Sequence, residues 1–120
     1  MDDANLPSLL ALPLLGFVSM DDKVYQNTRR MILEKNGNPY FLTGRALKGI
    51  GGPHIGLQNA WPMSLLVQAM TSDDDEEIEE ILSAVKKVSQ LGLVHESIHV
   101  DRVRDYTRKS LMPIFSSVRY

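Results

Sequence analysis

Between Asn38 and Asn59 the chain reads NPYFLTGRALKGIGGPHIGLQN, with seven glycines and prolines in 22 residues. Such a stretch cannot sustain a long helix. Proline lacks a backbone donor and clashes with the preceding turn, and each glycine has more backbone freedom to lose. Regular structure must therefore be sought on either side, and both sides carry helical periodicity.

On the N-terminal side, LPSLLALPLLG is expected to make one or two short helical turns broken at Pro13. DKVYQNTRRMILEKNG follows as a helix, with Val24, Asn27, Thr28, Met31, Ile32 and Lys35 on one mostly apolar face. Ser19 or Asp21 is placed to cap its start, and Asn36-Gly37 to end it. On the C-terminal side, AWPMSLLVQAMTS reads as a largely apolar helix with Pro62 in its first turn. Ser72 and Asp75 then form a capping box for another helix, whose apolar face is Ile78, Ile81, Leu82, Val85 and Val88. Its acidic start and its Lys86-Lys87 end suit the helix dipole.

These two helices, over 62–71 and 73–88, are separated only by a tight turn, which predicts an antiparallel hairpin. Strand signals are weak. PYFL and GLVHESIHV have suitable composition, but neither alternates cleanly. DYTRKSLMPIFSSVRY is ambiguous. The expected fold class is mainly α, built of helical hairpins with long Gly/Pro-rich loops.

The chain of 120 residues is enough for one small domain with a single core. A net charge of −2 gives no electrostatic case for nucleic acid. Without cysteine there are no disulfides and no thiolate metal sites. The longest apolar stretch, residues 6–18, is interrupted by Pro7 and Pro13 and is too short to span a bilayer. It follows Asp2 and Asp3, where a signal peptide would carry positive charge. No targeting or membrane-spanning segment is therefore read in this sequence, and compartment stays open.

Several short segments carry groups capable of chemistry. His95-Glu96-Ser97-Ile98-His99 matches H-E-x-x-H, the zinc metalloprotease pattern. That chemistry needs both histidines on one helical face, one turn apart, with the glutamate polarising a zinc-bound water. Gly92, Ser97, Ile98 and Val100 make a poor helix, and a third ligand such as Asp101 or Asp105 has no recognisable spacing. A second reading is a loop of hydrogen-bonded His and Glu. A third makes Glu96 an acid/base carboxylate in a partly apolar setting between Val94 and Ile98, with the histidines holding substrate hydroxyls.

MDDAN offers Asp2, Asp3 and Asn5, either as a cap for the following turn or as groups that grip sugar hydroxyls. GIGGPHIG carries His54. It is no phosphate loop, but it is either a surface loop or one whose backbone passes close to a ligand. Trp61 is a core residue or a sugar-stacking platform beside that loop. DDDEEIEE lacks the D-x-D-x-D-G pattern of a calcium loop and reads as a solvated helix start.

MDDANLPSLLALPLLGF, VYQNTRRMIL, NPYFLTGRALKGIGGPHIG, AWPMSLLVQAMTSDDDEEI, GLVHESI and DYTR together resemble glycoside hydrolase family 125. This is the exo-α-1,6-mannosidase family, with its fungal branch of meiotically up-regulated proteins. The segments run in family order over about residues 1–108, and residues 109–120 form a divergent tail. The resemblance implies a partial catalytic domain, part of an (α/α)6 barrel, with an inverting mechanism and no metal or other cofactor. It implies a mannose-containing glycan as substrate. It makes Glu96 the general base; Asp2, Asp3, Asn5, His54, Trp61 and His95, polar or aromatic groups within the resembling segments, are the candidate sugar contacts.

The family's general acid lies upstream of the MDDAN segment, and nothing in the match assigns Asp2 or Asp3 to that role. After DYTR the family continues with an aromatic W-F-A-W-A-N-type segment that this chain lacks. SAVKKVSQLGL also differs from the usual Gly-Thr-Gly loop. The expectation is a fragment of a mannosidase, missing upstream barrel helices and inactive alone. The rival readings are a small zinc peptidase using HESIH and a non-catalytic helical interaction module.

Overall fold

The fold comes from a computed structural model that describes residues 2–5, 7–89 and 92–102, and the backbone of 111–113. The described residues form three helices and six short strands. Helix α1 spans Lys23–Ile32, α2 Pro62–Met70 and α3 Asp75–Val88. Strands β1 (Phe41–Thr43) and β2 (Lys48–Ile50) make an antiparallel hairpin inside the Gly/Pro-rich stretch. Strand β3 (Asn59–Ala60) pairs with β5 (Ile98–His99), and β4 (Leu93–His95) pairs with β6 (Leu111–Pro113), both antiparallel.

The mainly α expectation thus understates the strands. They are two or three residues long. A period of two cannot show over such a length, and the partner of β3 lies about 40 residues away in sequence. Residues 7–16 make hydrogen-bonded turns rather than helix, with Leu15 N–H donating to Ala11 C=O at 3.1 Å.

The α2–α3 hairpin forms as expected. Leu65, early in α2, shares a core with Val85 and Val88, late in α3, while Gln68 bonds Glu77 at the opposite end, so the helices run antiparallel. The cap of α3 is Asp74 rather than Ser72. Its carboxylate accepts from the N–H groups of Glu76 and Glu77. Asp74 sits immediately before the first helical residue, where a side-chain oxygen reaches the free N–H groups. Ser72 instead bonds the Glu77 carboxylate and accepts from the Asp74 N–H. Leu82, expected on the buried face, is 50% exposed.

Helix α1 is capped by Asp22, not by Ser19 or Asp21, which bond each other. It ends at Ile32, before Asn36-Gly37. It buries Tyr25 and Ile32 and leaves Val24 and Met31 exposed, a different stripe from the one its periodicity suggested. The reason is polar. The Tyr25 hydroxyl donates to Leu10 C=O at 2.8 Å. Arg29, on the same side of the helix, donates to Gln68 C=O at 3.0 Å and to both oxygens of Glu77 at 3.1 Å. Two apolar clusters hold the molecule together. One lies between the α2–α3 hairpin and the strands around Ile98; the other lies under α1, around Leu10, Ile32 and Ile50.

Candidate functional site

Four separate segments lie side by side through their backbones. Ala4 N–H donates to Gly51 C=O at 3.0 Å. Gly51 bridges Ala60, and Ala60 is the ladder partner of Ile98. Residues 2–5, GIGG, NAW and HESIH therefore form one continuous strip. Trp61 N–H to Ile50 C=O and Val100 N–H to Gln58 C=O, at 3.0 and 2.8 Å, extend it at either side. The close approach demands glycine at 51, where a Cβ would stand 2.2 Å from the Asn59 carbonyl oxygen.

Around this strip the sequence-predicted groups gather unequally. A Cβ at Gly52 would lie 3.1 Å from His54 Cε1 and 3.5 Å from Asp3 Cβ, so Asp3 and the His54 ring share the space above that glycine. His54 meets Trp61 edge-on, with ring centroids 5.4 Å apart and planes at 81°. Trp61 is half-buried and His54 exposed. Asn5 is tied to Asp3 by its N–H at 2.8 Å and its side-chain amide at 3.4 Å.

Asp2 is turned to structure. Its Oδ1 accepts the Leu9 N–H at 3.1 Å, capping the turn that follows. Burial raises its pKa above the usual 3.8, only partly offset by backbone bonds from Leu9 and Leu10. Its Oδ2 is buried without a hydrogen-bond partner.

Glu96 lies in the two-residue connection between β4 and β5, between buried Val94 and Ile98, and is itself half-buried. His95 and Ser97 beside it are buried. Glu96 joins the strip through the backbone, two residues from Ile98, whose ladder partner Ala60 adjoins Trp61.

The same geometry gives the zinc peptidase reading no support. His95 ends β4 and His99 lies in β5, so they are not successive turns of a helix. His99 Nδ1 accepts the Asp101 N–H at 3.1 Å. Among the described residues no group of three or more His, Cys, Asp or Glu could hold a metal ion. Asp105 lies outside the described residues. The acidic start of α3 is solvated, with Asp73, Asp74, Asp75 and Glu76 all exposed.

Two open concavities, of about 390 and 450 Å³, lie elsewhere. The first is lined by Phe41, Leu47, Leu65 and Ile81, the second by Arg29, Arg30, Ser72 and Asp73. Neither includes a residue of the strip.

The family model for metal-independent alpha-mannosidases, glycoside hydrolase family 125, matches residues 1–112. The chain belongs to that family. It is 62% identical over 109 residues to the meiotically up-regulated gene 157 protein of Schizosaccharomyces pombe, covering 90% of this chain and 21% of that protein. It also superimposes with a TM-score of 0.87 and 42% identity on a Streptococcus pneumoniae metal-independent alpha-mannosidase, solved as a non-productive complex with alpha-1,6-mannobiose. That likeness covers 95% of this chain and 26% of the other. The chain thus spans about a fifth to a quarter of the length of these relatives.

Neither rival reading finds support in this membership. Among the described residues, no helix is long and apolar enough to cross a membrane. The tail set apart as divergent, residues 109–120, lies outside the described residues apart from the backbone of 111–113.

Proposed function

We propose that this chain is part of an inverting exo-α-1,6-mannosidase, a partial catalytic domain that in the whole enzyme contributes to an (α/α)6 barrel. The observation that carries the reading is the strip. It assembles a carboxylate loop, an edge-on His–Trp pair and the Asp3–Asn5 turn from four separate segments, in a chain 42% identical to a mannosidase that holds α-1,6-mannobiose.

In this proposal Glu96 is the general base. It takes a proton from the water that attacks the anomeric carbon, and a second carboxyl group protonates the departing oxygen. Inversion requires the two carboxyls to stand roughly 6.5–9.5 Å apart, leaving room for that water. The acid comes from sequence this chain does not contain, so the isolated chain does not hydrolyse mannosides. Asp3, Asn5 and His54 offer polar groups to sugar hydroxyls, and Trp61 an apolar face. His95, beside the base, is buried. Asp2 has only Oδ2 to offer, because Oδ1 is held by Leu9.

The test is a chimera in which residues 1–112 replace their counterpart in the Schizosaccharomyces pombe relative, assayed on α-1,6-mannobiose. Hydrolysis should release mannose first as the β-anomer, read by NMR. Glu96→Gln in the chimera should lower kcat by about 10²–10⁴-fold without changing its melting temperature. A Glu96→Gln chimera that keeps its rate within a few-fold would remove Glu96 from the role.

A further inference from the structure

Asn38 is fully buried, with 0% exposure, and spends its whole side chain on main-chain partners. Its Nδ2 donates to Asp2 C=O at 2.7 Å and to Ile32 C=O at 3.2 Å. Its Oδ1 accepts the N–H groups of Asp2 at 3.3 Å and Tyr40 at 3.2 Å. A primary amide offers two donor hydrogens and an oxygen with two lone pairs, so every valence is used. Asn38 thereby bonds both the N–H and the C=O of Asp2, as a neighbouring strand would. It also ties that residue to the last residue of α1 and to the chain entering β1.

Asp3 comes next, and the residue after it, Ala4, donates its N–H to Gly51. Asp3 is thus held on one side by Asn38 and on the other by Gly51, the glycine preceding the one over which Asp3 and His54 meet. We infer that Asn38 is a positioning residue for the strip, fixing the backbone that carries Asp3 beside Gly52 and the His54 ring, which in turn meets Trp61. The inference rests on the mannosidase reading only for what the strip binds.

No other side chain of similar size repeats this pattern. Leucine supplies no hydrogen bonds, and aspartate keeps the acceptor but loses both donors and sets a charge beside the Asp2 carbonyl.

The experiment uses the 120-residue chain itself, by amide hydrogen exchange and by titration with α-1,6-mannobiose read through Trp61, its single tryptophan. Asn38→Ala should speed exchange of the Ala4 amide by about tenfold or more, while the Val85 amide in α3 keeps its wild-type protection. Affinity for the disaccharide should fall as well. Ala4 exchange equal to wild type, or faster exchange with unchanged sugar affinity, overturns the inference. A wild-type chain that gives no sugar response counts against the sugar-binding reading, and the exchange rates then decide the clamp alone.

If Asn38→Ala unfolds throughout, the wild type in sub-denaturing urea provides the second measurement. The Asn38 side-chain amide and the Ala4 amide should exchange through one shared opening. Ala4 exchanging while Asn38 stays protected overturns the clamp.

Discussion

Glu77 shows how one residue can set the relation between helices. Burial alone would raise its pKa, but hydrogen bonds from Gln68, Ser72 and Arg29, with the Arg29 charge, outweigh that and hold it below the usual 4.5. The lowered value is a stability statement. The folded state binds this proton less tightly than the unfolded chain, so the contribution is fully present above about 4.5 and is lost as pH falls through the folded pKa. Asp2 has the opposite sign. Its raised pKa means that protonation, as pH falls towards 3.8, favours the folded state. The difference in unfolding free energy between wild type and Glu77→Gln isolates Glu77. Wild type should be the more stable at pH 7, and the gap should close below pH 4.5, measured by urea denaturation across that range. A gap that does not change with pH would show that the ionised form is not what α1 and the hairpin share.

At the scale of elements, the ends of α3 are better defined than its faces. Asp74 accepts from two N–H groups that the first turn would otherwise leave open. Asp74→Ala should cost about 1 kcal/mol, read as a lower melting temperature with little change in cooperativity. Ser72→Ala tests another contact, since Ser72 touches the Glu77 carboxylate and the Asp74 N–H rather than the start of the helix. An Asp74→Ala loss far below that of Ser72→Ala would return the cap to Ser72. The α2–α3 hairpin was readable because Pro62, the acidic first turn and the apolar spacing of Ile81, Val85 and Val88 are local signals. The buried side of α1 was not readable. Val24 and Met31 are as apolar as Ile32, and the choice between stripes rests on Tyr25 reaching Leu10 and Arg29 reaching Glu77. Those partners lie 15 and 48 residues away.

Among the described residues of the molecule as a whole, nine large apolar side chains are exposed. Phe17 is 74% exposed, Val24 75%, Met31 51% and Leu15 50%. They lie on the N-terminal turns and α1, in a chain that spans about a fifth to a quarter of the length of its relatives. Apolar surface of this kind favours association. The purified chain should self-associate at tens of micromolar concentration, about the range where weak apolar contacts operate. Joint replacement of Phe17, Val24 and Met31 by serine should shift sedimentation towards monomer while leaving α-helical circular dichroism unchanged. A wild-type chain that sediments as a monomer at every concentration would contradict this.

Several features could be reasoned from local sequence alone: the hairpin of α2 and α3, the breaking of helix between Asn38 and Asn59, the solvated acidic start of α3 and the absence of cysteine chemistry. Each depends on neighbours a few residues apart, where propensity, capping and charge act directly. The groups in the candidate site were also visible, as residue types in MDDAN, GIGGPHIG, Trp61 and HESIH. Their adjacency was not. It follows from single backbone contacts, Ala4 to Gly51, Gly51 to Ala60 and Ala60 to Ile98, that leave no periodic mark in the chain. Asn38 illustrates the same limit. Beside Pro39 it reads as an ordinary turn residue, and only the fold places the Asp2 backbone against its amide. HESIH shows the converse. The spelling fits a zinc helix, but strand pairing with β3 and β6 puts its two histidines on separate strands, because long-range hydrogen bonds outweigh a weak local helix preference.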